Sequence, residues 1–143
     1  VWLGGDDREI SVLAQDVVLN GSAAILTFYY RIGSTDDCGY DIARVIVESV
    51  NPQQAVGAVE VGAVRTVLAE YDLCADNSTN DWTAATFDVS AYLGQAVRLT
   101  FAAKTDSSLT SSLFLDDVQL NVAGGGTPTP TSAWRLFLPV TTR

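Results

Sequence analysis

The sequence contains no histidine, a single lysine and only two cysteines in 143 residues. It also lacks any apolar run near the roughly 20 residues that a membrane-spanning helix requires. Each scarcity closes off a class of function. Without histidine the commonest general base is missing, and neither a Ser-His-Asp nor a Cys-His arrangement can be built. No G-x-S-x-G or phosphate-loop motif is present either, so the chain is expected not to be an enzyme. Two thiols without histidine are too few for a tetrahedral zinc site. Lys104 and the scattered arginines together number 8 against 17 acids, for a net charge of −9. A phosphate backbone would be repelled, which argues against nucleic acid as a partner. No positively charged, apolar leader precedes Val1, so any signal peptide is expected to have been removed.

What is present is apolar and alternating. Hydrophobic residues make up 48% of the chain, enough to fill the core of one domain. In "AAILTFYYRI" (23–32), Ala24, Leu26, Phe28, Tyr30 and Ile32 share one face, and Ile25, Thr27, Tyr29 and Arg31 share the other. In "QAVRLTFAA" (95–103), Val97, Leu99 and Phe101 point one way, Arg98 and Thr100 the other. Both segments read as half-buried strands. Further strands are expected near 9–19, 41–50, 61–72, 82–89 and 111–122, separated by turn signals such as Asn20-Gly21, Asn51-Pro52, Leu93-Gly94 and Asp106-Ser107. The Gly-bearing segment 55–64 reads as an irregular edge strand. Many short strands without a capped helical stripe imply an all-β sandwich.

Cys38 and Cys74 lie in "STDDCGYD" and "YDLCADNS", both turn-like. One disulfide in an oxidising compartment is the expectation, worth about 2–4 kcal/mol; two free thiols are the alternative. Two N-x-S/T sequons, at Asn20 and Asn77, fall in expected turns, where glycosylation is geometrically possible but simple turn chemistry is the expected reading. Lys104 reads as a surface lysine at a strand end rather than a cross-linking one.

"LTFYYRIGSTDDCGYD" and the long segment from "LCADNSTNDW" to "LFLDDVQL" resemble the jelly-roll accessory domains of secreted bacterial surface proteins and peptidases, themselves similar to MAM and carbohydrate-binding jelly rolls. The matching features are the aromatic strand Phe28–Tyr30, the Cys38–Asp41 turn, Trp82, Asp88–Gln95 and Leu115–Val118. The resemblance implies a two-sheet jelly-roll β-sandwich over residues 1–123, secretion, and an extracellular or cell-surface location. It says little about function, because one fold hosts many roles. The Thr-Pro spacer and "LPV" ending are similar to tails of secreted proteins of filamentous green bacteria.

Three sets of residues carry the functional expectations. The acidic pairs "GGDD", "STDD" and "LDDV" supply Asp6, Asp7, Asp36, Asp37, Asp116 and Asp117. A glycosidase would need two carboxyls about 5–9.5 Å apart across a cleft, and nothing in the sequence builds that cleft. Structural calcium is the better use. Strict alternation puts Asp116 on the core-facing side with Phe114, Val118, Leu120 and Val122, and Asp41 stands similarly ahead of Ala43, Val45 and Val47. A buried carboxylate is costly unless paired or metal-bound, and calcium takes six to eight oxygens. The expected ligands are therefore Asp116 and Asp41, with Asp6, Asp7 or backbone carbonyls. The resemblance implies such a calcium near the N-terminal strand in some members. The alternative is that Asp116 and Asp41 accept hydrogen bonds from loop amides.

The second set is aromatic. Among Trp2, Tyr29, Tyr40, Tyr71, Trp82 and Tyr92, a glycan platform would draw on Tyr29, Tyr40 and Trp82. Carbohydrate binding rests mainly on the resemblance, which also assigns Trp82 and Tyr92 to core or strand-end packing.

The third set is the tail. Residues 124–132 form a Gly/Thr-Pro linker, and 133–143 a terminal strand with Trp134, Leu136, Leu138 and Val140 on one face. Burying each would contribute roughly 1.5–3 kcal/mol. The linker spans about 25 Å if extended, against a radius of gyration of about 14 Å for such a domain. Stiffness and reach favour insertion into a neighbouring copy, as in donor-strand exchange. Such a head-to-tail contact grows a homopolymer or filament. The expected function is thus a structural, self-assembling extracellular subunit. The alternative is a carbohydrate-binding or adhesive module whose tail closes its own fold.

Overall fold

Ten strands make up the computed structural model, which describes residues 1–50, 64–124, 129–130 and 135–137, the last two stretches by backbone alone. They are β1 (Trp2–Gly4), β2 (Ile10–Val18), β3 (Ala23–Ser34), β4 (Ile42–Ser49), β5 (Arg65–Asp72), β6 (Thr83–Asp88), β7 (Ala96–Lys104), β8 (Ser111–Ala123), β9 (Thr129–Pro130) and β10 (Arg135–Phe137). One sheet runs β1-β8-β3-β6 and the other β10-β2-β7-β4-β5, with β9 also on β2; among the described residues every ladder is antiparallel. The body orders 1-8-3-6 and 2-7-4-5 interleave the two halves of the chain as in a jelly roll.

The alternation seen in the sequence explains why these strands face as they do. Leu26, Phe28 and Ile32 of β3 and Val97, Leu99 and Phe101 of β7 are buried between the sheets. Phe28 meets Phe101 edge-on at 5.1 Å, joining the two layers, and stacks on Phe87 at 5.9 Å. Leu3, Leu113, Leu115, Val45 and Val47 complete the centre of the core.

One strand departs from strict alternation. On β8, Leu113 and Leu115 are buried, but the next core-facing residues are Val118, Leu120 and Val122. The register between β3 and β8 slips between Thr27 and Tyr29, whose partners are Gln119 and Asp116. A β-bulge at Asp117, with φ of 49°, inserts one residue and turns the residues before it to the opposite face. Asp116 is therefore exposed, which corrects the expectation that it faces the core.

At the far edge, β9 and β10 lie antiparallel to β2 of the same chain, Leu136 opposite Leu13 and Pro130 opposite Val17. Pro130 suits an edge position, where a missing N–H costs no ladder bond. Thr129–Pro130 falls within the segment expected to be linker. Trp134, Leu138 and Val140 lie outside the described residues, as do the Asn51-Pro52 turn and residues 55–63 of the expected edge strand.

Candidate functional site

Two features stand apart from the core, and the jelly-roll topology creates both. The first is the outer face of the four-stranded sheet. Pairing sets Trp2 of β1 opposite Phe114 of β8, and Phe114 opposite Arg31 of β3. The Tyr30–Thr83 pair, continued by one position, brings Trp82 level with Arg31. A row Trp2–Phe114–Arg31 thus crosses three strands, and Trp82, the residue just before β6, would extend it to roughly 14 Å at the usual strand spacing. The next row is Asp116, Tyr29 and Ala84; beyond it come Gln119, Thr27 and Thr86.

Much of the aromatic surface of these two rows is open to solvent: Trp2 is 58% exposed, Trp82 43% and Tyr29, in the second row, 46%, while Phe114 is half-buried. Trp82 stands at the end of a strand, just before β6, and keeps part of its ring exposed, whereas Tyr92, at 6% exposure, is in the core. The Trp2, Phe114 and Arg31 members of the first row are also held in place. The Trp2 indole stacks on Phe114 at 6.0 Å, and its Nε1 donates to Ser112 Oγ at 3.0 Å. The Arg31 guanidinium sits 5.6 Å from the Phe114 ring centre, a cation–π contact. Gly5, with φ of +102°, lets the chain pass under the indole; a Cβ there would come within 2.3 Å of the ring.

The outer face of the other sheet differs. Arg98 makes a bidentate pair with Asp16 at 2.7 and 2.8 Å, and Arg44 pairs with Glu70 at 2.7 Å. Tyr40, also expected in the platform, is 62% exposed but lies in the β3–β4 loop, apart from that row. Tyr71 and Tyr30 pack together at 4.6 Å beside a cleft of about 270 Å³ that Glu70, Asp72, Asn77 and Thr79 also line. That volume is below the usual range for ligand pockets.

The second feature is the end of the sandwich where the β1–β2, β3–β4, β5–β6 and β7–β8 loops meet. Cys38 and Cys74 form a disulfide there, fastening the β3–β4 loop to the segment after β5. Asp72 Oδ1 accepts from the Gly39 amide at 2.9 Å, and the Leu73 amide donates to the Asp41 carbonyl at 2.8 Å. Thr105 Oγ1 donates to the Asp6 carbonyl at 2.6 Å and the Arg8 amide to the Asp106 carbonyl, tying in the β1–β2 loop.

Within this knot, Asp36, Asp41 and Asp106 each place a carboxylate oxygen within 4.8 Å of the others. Asp41 is fully buried and Asp36 is 4% exposed. The Asp37 amide donates to Asp36 Oδ1 at 2.8 Å, and the Asp106 amide to Asp41 Oδ1 at 2.6 Å. The second oxygens, Asp36 Oδ2 and Asp41 Oδ2, are buried with no partner. Burial pushes the Asp36 carboxyl above its ordinary range; the Asp37 amide opposes this, and the charges of Asp41, Asp106 and Asp37 add to it. Of the acids expected to bind calcium, Asp41 belongs to this group. Asp6, Asp7 and Asp116 are exposed and outside it. In the sequence Asp36 stands only as half of an acidic pair and Asp106 only as a turn residue. Jelly-roll topology was the signal that joins their loops at one end.

No family model matches the chain. It is similar to the pre-pro-metalloprotease PrtV of Vibrio cholerae serotype O1, at 30% identity over 131 residues in strain M66-2 and equally in strain ATCC 39315 / El Tor Inaba N16961. The similarity takes in 86% of this chain and 13% of that protein's length.

Proposed function

We propose that the chain is a non-catalytic accessory module of a secreted protein that holds carbohydrate on the outer face of its four-stranded sheet. The observation that carries this reading is the outer row of Trp2, Phe114 and Arg31, packed on one another and continued by the exposed Trp82, with Tyr29 and Asp116 in the row beside it. Flat aromatic rings offer apolar area to the C–H faces of sugar rings at low entropic cost. Arg31, Asp116, Gln119 and Thr27 supply donors and acceptors for hydroxyls. The row is long enough for an oligosaccharide rather than a single ring. Similarity to part of a secreted-type protease precursor supports an extracellular setting and an accessory rather than catalytic role.

Retardation in native gels containing soluble polysaccharides tests this. The wild-type chain is expected to be slowed by at least one of them. Trp82→Ala and Tyr29→Ala should each weaken binding by about tenfold, the equivalent of 1.4 kcal/mol, with an unchanged circular dichroism spectrum. Equal retardation of the wild-type and Trp82→Ala chains would remove the face as the site.

Exchange of the tail between copies is a second reading, for which the edge ladder of β9 and β10 on β2 supplies the means. They join the body on β2, an edge, after the chain has left β8. The same ladder, made with a neighbour's β2, would link copies head to tail.

A further inference from the structure

We propose that Asp36, Asp41 and Asp106 hold a structural calcium ion that locks together the loops at the disulfide-bearing end of the sandwich. The observation is the pair of buried, unpartnered oxygens, Asp36 Oδ2 and Asp41 Oδ2, in a group whose three carboxylates approach within 4.8 Å of one another. A buried carboxylate oxygen without a donor is destabilising, and the partly buried Asp106, whose Oδ1 accepts from the Ser108 amide at 2.8 Å, adds a third negative charge beside Asp36 and Asp41. Among the described residues the ion pairs join Arg44 to Glu70, Arg65 to Glu48 and Arg98 to Asp16, and none of them includes these three acids. Amides satisfy one oxygen of Asp36 and one of Asp41, leaving the other free for a cation.

The donor set points to the ion. Three carboxylates within 4.8 Å of one another, among converging loops, suit calcium, which takes six to eight oxygens at about 2.3–2.6 Å in flexible geometry. Magnesium usually keeps several waters and binds through one or two carboxylates. Zinc prefers nitrogen and sulfur, and the only nearby sulfurs, Cys38 and Cys74, are joined to each other. Carbonyls of the converging loops and water complete the coordination.

The ion would link the β3–β4 loop, which carries Asp36 and Asp41, to the β7–β8 loop, which carries Asp106. The Arg8 amide on the Asp106 carbonyl extends the link to the β1–β2 loop, where Gly5 lies under Trp2. Calcium at this end is therefore expected to steady one end of the aromatic row as well.

The test uses the whole chain, stripped with chelator and then melted with calcium chloride or magnesium chloride added, alongside metal analysis of the untreated protein. One calcium per chain, or a rise of several degrees in Tm at millimolar calcium and a smaller one with magnesium, is the expected result. Asp36→Asn and Asp106→Asn should each lose that rise, while melting no lower than the wild type in chelator because repulsion is relieved. Asp106 is only partly buried, so its variant keeps the experiment decisive if changes at the buried positions prevent folding. An untreated chain without calcium and with no calcium-dependent rise would overturn the proposal. So would a rise of equal size with magnesium, or one retained in both variants.

Discussion

A single inserted residue decides the character of the outer face. Strict alternation along "LFLDDVQLNV" places Asp116 inside; the bulge at Asp117 puts it outside, next to Tyr29. Nothing in the local sequence marks the bulge, because both Asp116 and Asp117 are polar and only pairing with β3 reveals the extra residue. Phe114 is turned outward with Asp116, and that is what gives Trp2 and Arg31 a ring to pack on. Tyr71 offers a residue-scale test. Burial, and secondarily the neighbouring Tyr30, push its hydroxyl from 10 up to about 12. The folded state then keeps a proton that the unfolded chain loses near pH 10. Stability is thus full below pH 10 and falls as pH rises from 10 toward about 12. Denaturant melts across that range should show the decline in the wild type and a flatter profile in Tyr71→Phe.

At the scale of elements, the expected strands of the body correspond to β2 through β8, because period-2 alternation reflects which side chains the two sheets enclose. β1 was not legible: three residues, Trp2–Gly4, beside two glycines carry too little pattern. The loop cluster was legible only in fragments. The two cysteines suggested their bond, and Asp41 suggested a buried acid, but Asp106 lies 65 residues away and joins them through topology alone. The tail is testable as an element. Ending the chain at Ala123 uncovers the β2 edge that β9 and β10 occupy. If the tail only closes its own sheet, light scattering should show monomers for both lengths, with the shorter melting lower. Filaments from the full chain and monomers from the truncation would instead establish exchange between copies.

At the scale of the molecule, the two sheets divide the work. The six-stranded sheet carries cross-strand ion pairs on its outer side, Arg98 with Asp16 and Arg44 with Glu70. The four-stranded sheet instead presents fixed aromatic rings to solvent, an arrangement a fold does not need for its own stability. Composition had already set aside catalysis by histidine and binding of nucleic acid, yet it could not choose between an assembling and a binding role, because exposure of Trp2 and Trp82 depends on which strands become neighbours. The most direct measurement is a titration of the isotope-labelled chain with the retarding polysaccharide's oligosaccharide, followed by the indole N–H signals of its three tryptophans. The account predicts that the signals of Trp2 and Trp82 move together with the amides of Tyr29, Arg31 and Phe114, while that of Trp134 stays in place. Shifts confined to Trp134, or to the loop around Tyr40, with Trp2 and Trp82 unmoved, would contradict it.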